Sequence, residues 1–249
     1  MRRSSASIVV LVAMLSAPAF GAADAVDRVS RTVPIGAGAI RVDATIAELT
    51  IAAADRADVQ VDIERHAPTR ADFARFPATI ETTPDGVCVS VAQADEGRDP
   101  HLKSTIAIAA PASAVFPSVR VFEGHVRIDD VRSAADVAIR RGAIDATRLA
   151  GRIRLESELG AIDVRNAELT PDGMLRLRVF NGPVRVRFAH RPANARILAV
   201  TLNGSVSSDI PLTMKDQFGP RFGETTIGAG DPVLSMDVVK GDIALTVGR

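Results

Sequence analysis

The chain has 249 residues, 30 basic and 30 acidic side chains, one cysteine, and neither tryptophan nor tyrosine. Such a balance argues against a nucleic-acid binder and gives no expectation of a polybasic patch for acidic lipid, and a lone thiol excludes an internal disulfide framework. The fold must therefore stand on its apolar core.

Residues 1–23 begin with Arg2 and Arg3, run through the apolar stretch 8–15 and end in small residues. A basic start, a short apolar run and a small-residue junction predict a cleaved secretory signal peptide. Gly21 and Ala23 are both suitable cleavage points, and no cysteine lies nearby to accept a lipid. The apolar run is shorter than the roughly 20 residues that span a bilayer. Cleavage removes two arginines and no acid, leaving a net charge of −2. The expected location is the periplasm or the exterior, with no membrane-spanning segment in the mature chain.

From 24 to 116 the sequence predicts a β-rich region with irregular connections. Apolar alternation marks strands at 29–34, 39–45, 47–52, 59–65, 77–82, 87–91 and 104–109. A short helix is predicted over 69–76, bounded by Pro68 and Pro77. Residues 95–100 read as a polar turn. Cys88 lies in a strand-like alternation with Val87, Val89 and Val91, and either phase fits. A buried, inert thiol is expected, since no histidine lies in the segment to activate it.

From 117 to 249 one frame repeats around Gly124, Gly142, Gly160, Gly182, Gly204 and Gly241, at spacings of 18, 18, 22, 22 and 37. Two positions after each glycine stand Val126, Ile144, Ile162, Val184, Val206 and Ile243; five before stand Val119, Val137, Leu155, Leu177, Ala199 and Met236. Period-2 alternation around a recurrent glycine predicts an all-β solenoid, like a parallel β-helix, of about six glycine-cornered coils. The N-terminal region is expected to continue into it. Like residues would then stack in sequence order, Val126 on Ile144 on Ile162 on Val184 and onward. The Asn-Gly pairs at 181–182 and 203–204 would suit hairpin turns, so an antiparallel meander is the alternative. An irregular insertion is expected over 213–232, and the last coil, ending at Arg249, reads as an open edge for pairing with another copy.

Site chemistry is sparse. Asp145 and Asp163 recur in two Gly-Ala-Ile-Asp segments on an outward column and could serve as acid and base of a carbohydrate-active hydrolase or lyase. The same column supplies Arg127 and Arg185, which suits structural charge pairing equally. His66, His101, His125 and His190 lie far apart without ligand spacing. No catalytic, cofactor-binding or metal-binding residue is assigned, and no cofactor is expected.

The segments Leu202-Asn203-Gly204-Ser205-Val206, Thr226-Ile227-Gly228-Ala229-Gly230 and Lys240-Gly241-Asp242-Ile243, with the strand and proline at 106–112, resemble the bacterial "putative adhesin" domain of unknown function. Ser157, Thr201 and Ser208 depart from its apolar columns and predict local irregularity. The resemblance implies an exported, noncatalytic β-solenoid, an adhesin-like scaffold whose partner is an envelope protein or another copy of itself.

Overall fold

The computed structural model describes residues 24–35, 38–93, 98–215 and 219–248. The signal peptide expected over 1–23 and part of the polar turn at 95–100 lie outside them. The chain forms β1 (Ala25–Pro34), β2 (Ala39–Ala53), β3 (Asp58–Ala67), β4 (Ala78–Thr83), β5 (Gly86–Val91) and β6 (Lys103–Ala110). There follow β7 (Val115–Asp129), β8 (Ala135–Thr147), β9 (Arg152–Leu159), β10 (Ile162–Arg165), β11 (Met174–Asn181) and β12 (Val184–Phe188). Last come β13 (Ala195–Asn203), β14 (Val206–Ser208), β15 (Thr213–Lys215), β16 (Arg221–Ile227), β17 (Val233–Lys240) and β18 (Ile243–Val247). The fold is all-β; among the described residues, its one short helix is a 3-10 turn, Arg70–Arg75, and none is long and apolar enough to cross a membrane.

The glycine-centred segments pair in parallel, not as an antiparallel meander. Each forms a tier with two arms: one strand on a first wall, a corner at the glycine, and a second strand on a second wall. On the second wall Leu49, Val126, Ile144, Ile162, Val184, Ile243 and Val206 follow one another as register partners. The first wall carries the matching column Val42, Val119, Val137, Leu155, Leu177, Met236 and Ala199. Nearly all of these are buried, and each large apolar side chain so placed contributes roughly 1.5–3 kcal/mol.

The order of the tiers corrects the expected stacking. Val184 does not neighbour Val206, because the C-terminal tier, β17 and β18, lies between β11 and β12 on one side and β13 and β14 on the other. The expected open edge at the C-terminus is therefore an interior tier. The 213–232 insertion is also more regular than anticipated: β16 pairs antiparallel with β13, and β15 with β16. That hairpin covers the outermost first-wall strand and gives the chain the length to return between two tiers already formed. At the other end β5 and β6 flank β2, and β4, β3 and β1 close that end in antiparallel pairing. The two strands expected at 39–45 and 47–52 are one, β2.

At each corner the inward-outward alternation breaks. Between buried Val121 and Val126, four successive residues face away from the core, and the same holds between Ile139 and Ile144. The tiers touch backbone to backbone here. A Cβ on Gly142 would collide with the carbonyl oxygen of Gly124, one on Gly160 with that of Gly142, and one on Gly204 with that of Gly241. Ser157 and Thr201, expected as irregularities, use the same carbonyls: their buried hydroxyls donate to Gly142 O at 3.1 Å and Gly241 O at 2.8 Å. A buried hydroxyl placed so is satisfied.

Candidate functional site

The second wall brings the two predicted carboxylates together. Arg127, Asp145, Asp163 and Arg185 are successive register partners on four neighbouring tiers. Asp145 accepts a hydrogen bond from His125 Nε2 at 2.7 Å, while Arg127 donates to His125 Nδ1 at 3.3 Å. Glu48 Oε2 lies 3.9 Å from both His125 and Arg127, and Asp163 lies 3.7 Å from Arg165. Each carboxylate thus faces a neighbouring cationic or imidazole group. Among the described residues no group of three or more His, Cys, Asp or Glu converges as a metal site.

The remaining candidates are dispersed. His66 lies 2.8 Å from Glu64, His101 sits in the turn before β6, and His190 lines a groove of about 630 Å³ between the return loops. Cys88 corrects its expectation: Val87, Val89 and Val91 take the core side, so the thiol points outward, half-buried, across from Arg41 and Glu81. Nothing beside it marks it as reactive.

The outward face of the first wall is the more structured surface. Two adjoining grooves, of about 370 and 420 Å³, run along the corner and share Arg140, Glu156 and Glu158. Phe122 stands at one end under three guanidinium groups, with Arg98 at 3.2 Å, Arg140 at 5.3 Å and Arg141 at 5.7 Å from its ring centre. Such stacking is worth about 0.5–1 kcal/mol per exposed pair. Phe180 stands at the other end with its ring bare. Between them Arg140 pairs with Glu158 at 3.0 Å and Arg154 with Glu156 at 3.1 Å. This face holds charge in neighbouring tiers and exposes aromatic surface; it provides contact area and guanidinium donors. Phe122, Arg140, Glu158 and Phe180 each stand two positions before a repeat glycine, but their neighbours in space depend on the tier order.

The outer corner is pinned by a carboxylate that sequence reasoning passed over. Asp242 accepts from both the hydroxyl and the backbone N–H of Ser205, each at 2.8 Å. The hydroxyl bond foremost holds its carboxyl below the ordinary aspartate range. At the opposite end Asp72 accepts from the hydroxyl and N–H of Thr69, and the hydroxyl bond again lowers the carboxyl most. The 3-10 turn so formed rests on Arg65, whose guanidinium meets Asp27 and donates to Phe76 O at 2.6 Å.

No family model matches the chain, and no characterised protein matches it in sequence. The fold is similar to that of a "putative cell adhesion protein" from Clostridium sporogenes, at a TM-score of 0.53 and 8% identity, covering 90% of this chain and 100% of that one. A "putative adhesin" from Bacteroides fragilis aligns over 89% of this chain and 97% of its own at 12% identity and a TM-score of 0.43. At such identities the likeness is one of fold.

Proposed function

We infer that the protein is exported through its N-terminal segment and acts without catalysis, as an adhesin-like β-solenoid that offers its walls to an envelope protein or to another copy. In this reading residues 24–116 continue the same stack, which the 213–232 insertion caps. The observation that carries it is the regularity of the outward columns. Arg120 with Asp136, Arg140 with Glu158, Arg154 with Glu156 and Asp145 with His125 all pair, within one tier or between adjacent tiers. The result is two broad, ordered faces rather than a single deep cleft. Fold likeness to a protein named for cell adhesion agrees with this. In-cell crosslinking of the tagged protein, followed by mass spectrometry, should recover specific envelope proteins or the protein itself. Recovery of cytosolic proteins alone would contradict export and the scaffold role together.

A second reading rests on Asp145 and Asp163 being register partners on adjacent strands, whose backbones lie about 4.8 Å apart. Retaining glycosidases likewise place two carboxylates side by side, roughly 5–5.5 Å apart. In that case Asp145→Asn with Asp163→Asn would abolish release of reducing ends from an envelope glycan; a wild-type protein that releases none removes this reading.

A further inference from the structure

β13 differs from every other first-wall strand of the tiers between β2 and the outer end. Beyond Arg196 its outward side chains Leu198, Val200 and Leu202 are apolar, whereas the inner tiers put Asp43, Arg120, Arg140, Glu156, Arg178 and Asp237 on that face. Its inward residues Ile197 and Ala199 are buried as well. A strand apolar on both sides belongs where both faces are covered; here the outward face is covered only in part, Leu198 and Val200 being half-buried and Leu202 exposed. Phe222 of β16 lies beside Val200, and the patch continues along the corner through Val239 to Phe180. Phe180 is 60% exposed and Leu202 51%.

Three observations identify what covers it. The stretch 173–208 contains Arg176, Arg178, Arg185, Arg187, Arg191 and Arg196 and no acid. Around the patch Arg178, Arg196 and Lys240 have no ion-pair partner among the described residues, while the nearby acids are engaged, Glu224 by Lys215 at 2.6 Å and Asp237 by Arg176 at 3.9 Å. The backbone of β13 is paired on both edges, by β16 and β17, so the patch centre gives a protein partner no edge for directional hydrogen bonds. An apolar surface with a cationic rim and a closed backbone suits a non-directional, negatively charged environment with an apolar interior.

We propose that this end of the first wall docks onto an anionic lipid surface, Phe180 and Leu202 entering the acyl boundary while Arg178, Arg196 and Lys240 meet the headgroups. The whole-chain charge conceals this, because the fold gathers an acid-free stretch at one place. The proposal is independent of the export reading, since its test is made on purified protein. The protein as the cell delivers it is sedimented with vesicles of equal parts phosphatidylglycerol and phosphatidylcholine, and with phosphatidylcholine alone. Binding to the anionic vesicles and not to the neutral ones is expected. Phe180→Ser with Leu202→Ser should lower that binding at least tenfold without moving the melting temperature, both residues being exposed. Arg178→Gln with Lys240→Gln should lower it several-fold. Absence of binding to anionic vesicles, equal binding to neutral ones, or variants equal to wild type would overturn the proposal. So would concentration-dependent self-association that the serine pair abolishes while vesicles are ignored, since the patch would then be a protein interface.

Discussion

The middle of the stack and its β2 end solve the corner differently. In β8, β9 and β11 the corner is followed by or contains Gly142, Gly160 and Gly182, and a Cβ on any of these would strike the carbonyl oxygen of the preceding tier's corner glycine. At the equivalent register position β2 carries Ala47, buried and paired with Gly124 on one side and Ser104 on the other. Below it lie two separate strands, β5 paired with the first half of β2 and β6 with the second. The need for glycine is thus imposed by the tier below as well as by the positive φ of Gly142, Gly160 and Gly182 themselves. Where the tier below is two separate strands, a methyl group is accepted.

The sharpest way to break this comparison is Gly142→Ala. Its φ of +137° and the Gly124 carbonyl together leave no room for a methyl group, and a loss of about 3 kcal/mol or more is expected in denaturant unfolding. Gly38→Ala is the control: φ is +80° but nothing lies within 4 Å, so only the backbone strain of roughly 1–2 kcal/mol remains. Equal losses at the two sites would refute the account of the corner.

The closed end should yield next. Arg65→Met leaves Asp27 and the carbonyls of Phe73 and Phe76 without their shared donor, and should cost about 2–3 kcal/mol. Hydrogen exchange should quicken in the 3-10 turn and β1 before the central tiers; uniform quickening would mean that the end and the middle are one cooperative unit. A smaller effect is expected from Thr201→Val, which keeps the volume but removes the donor to Gly241 O. About 1 kcal/mol should be lost, and no loss would show that this carbonyl finds another donor.

The smallest effect is in pH. Asp242 has its carboxyl held below the ordinary range by Ser205, so its contribution is complete above the ordinary aspartate range and disappears as pH falls from there through the lowered value. Asp242→Asn should weaken the outer corner near neutrality and flatten the acid limb of the stability curve. An acid limb unchanged by the substitution would assign that limb to other carboxylates.

Strand positions were largely legible because period-2 alternation is a local property. The segments around 59–65, 87–91 and 104–109 match β3, β5 and β6 to within one or two residues. The short helix over 69–76 was marked by its flanking prolines. Tier order was not legible, because Val184, Ile243 and Val206 offer the same apolar face to any neighbour. The segment 213–232, expected to be irregular, instead supplies β15 and β16, and β16 pairs with β13 before the chain returns in β17. The orientation of Cys88 depended on which phase of 86–91 packs inward, and only the surrounding valines in three dimensions decide that. The register of Asp145 beside Asp163 followed from the frame, but the imidazole of His125 between tiers did not, since it sits two residues from the column that carries the aspartates.

The central claim is that the C-terminal tier is wedged inside the stack, leaving β13 and its apolar face at the end. It is tested most directly by paired cysteines in a Cys88→Ser background. Arg185 and Ala244 are register partners, about 4.8 Å apart, within the roughly 4.4–6.8 Å that a disulfide bridges. Arg185 and Ser207 are two tiers apart, at roughly twice that distance. Under mild oxidation Arg185→Cys with Ala244→Cys should form a bond, and Arg185→Cys with Ser207→Cys should not. The reverse pattern would mean that the tiers stack in sequence order, and would contradict the account.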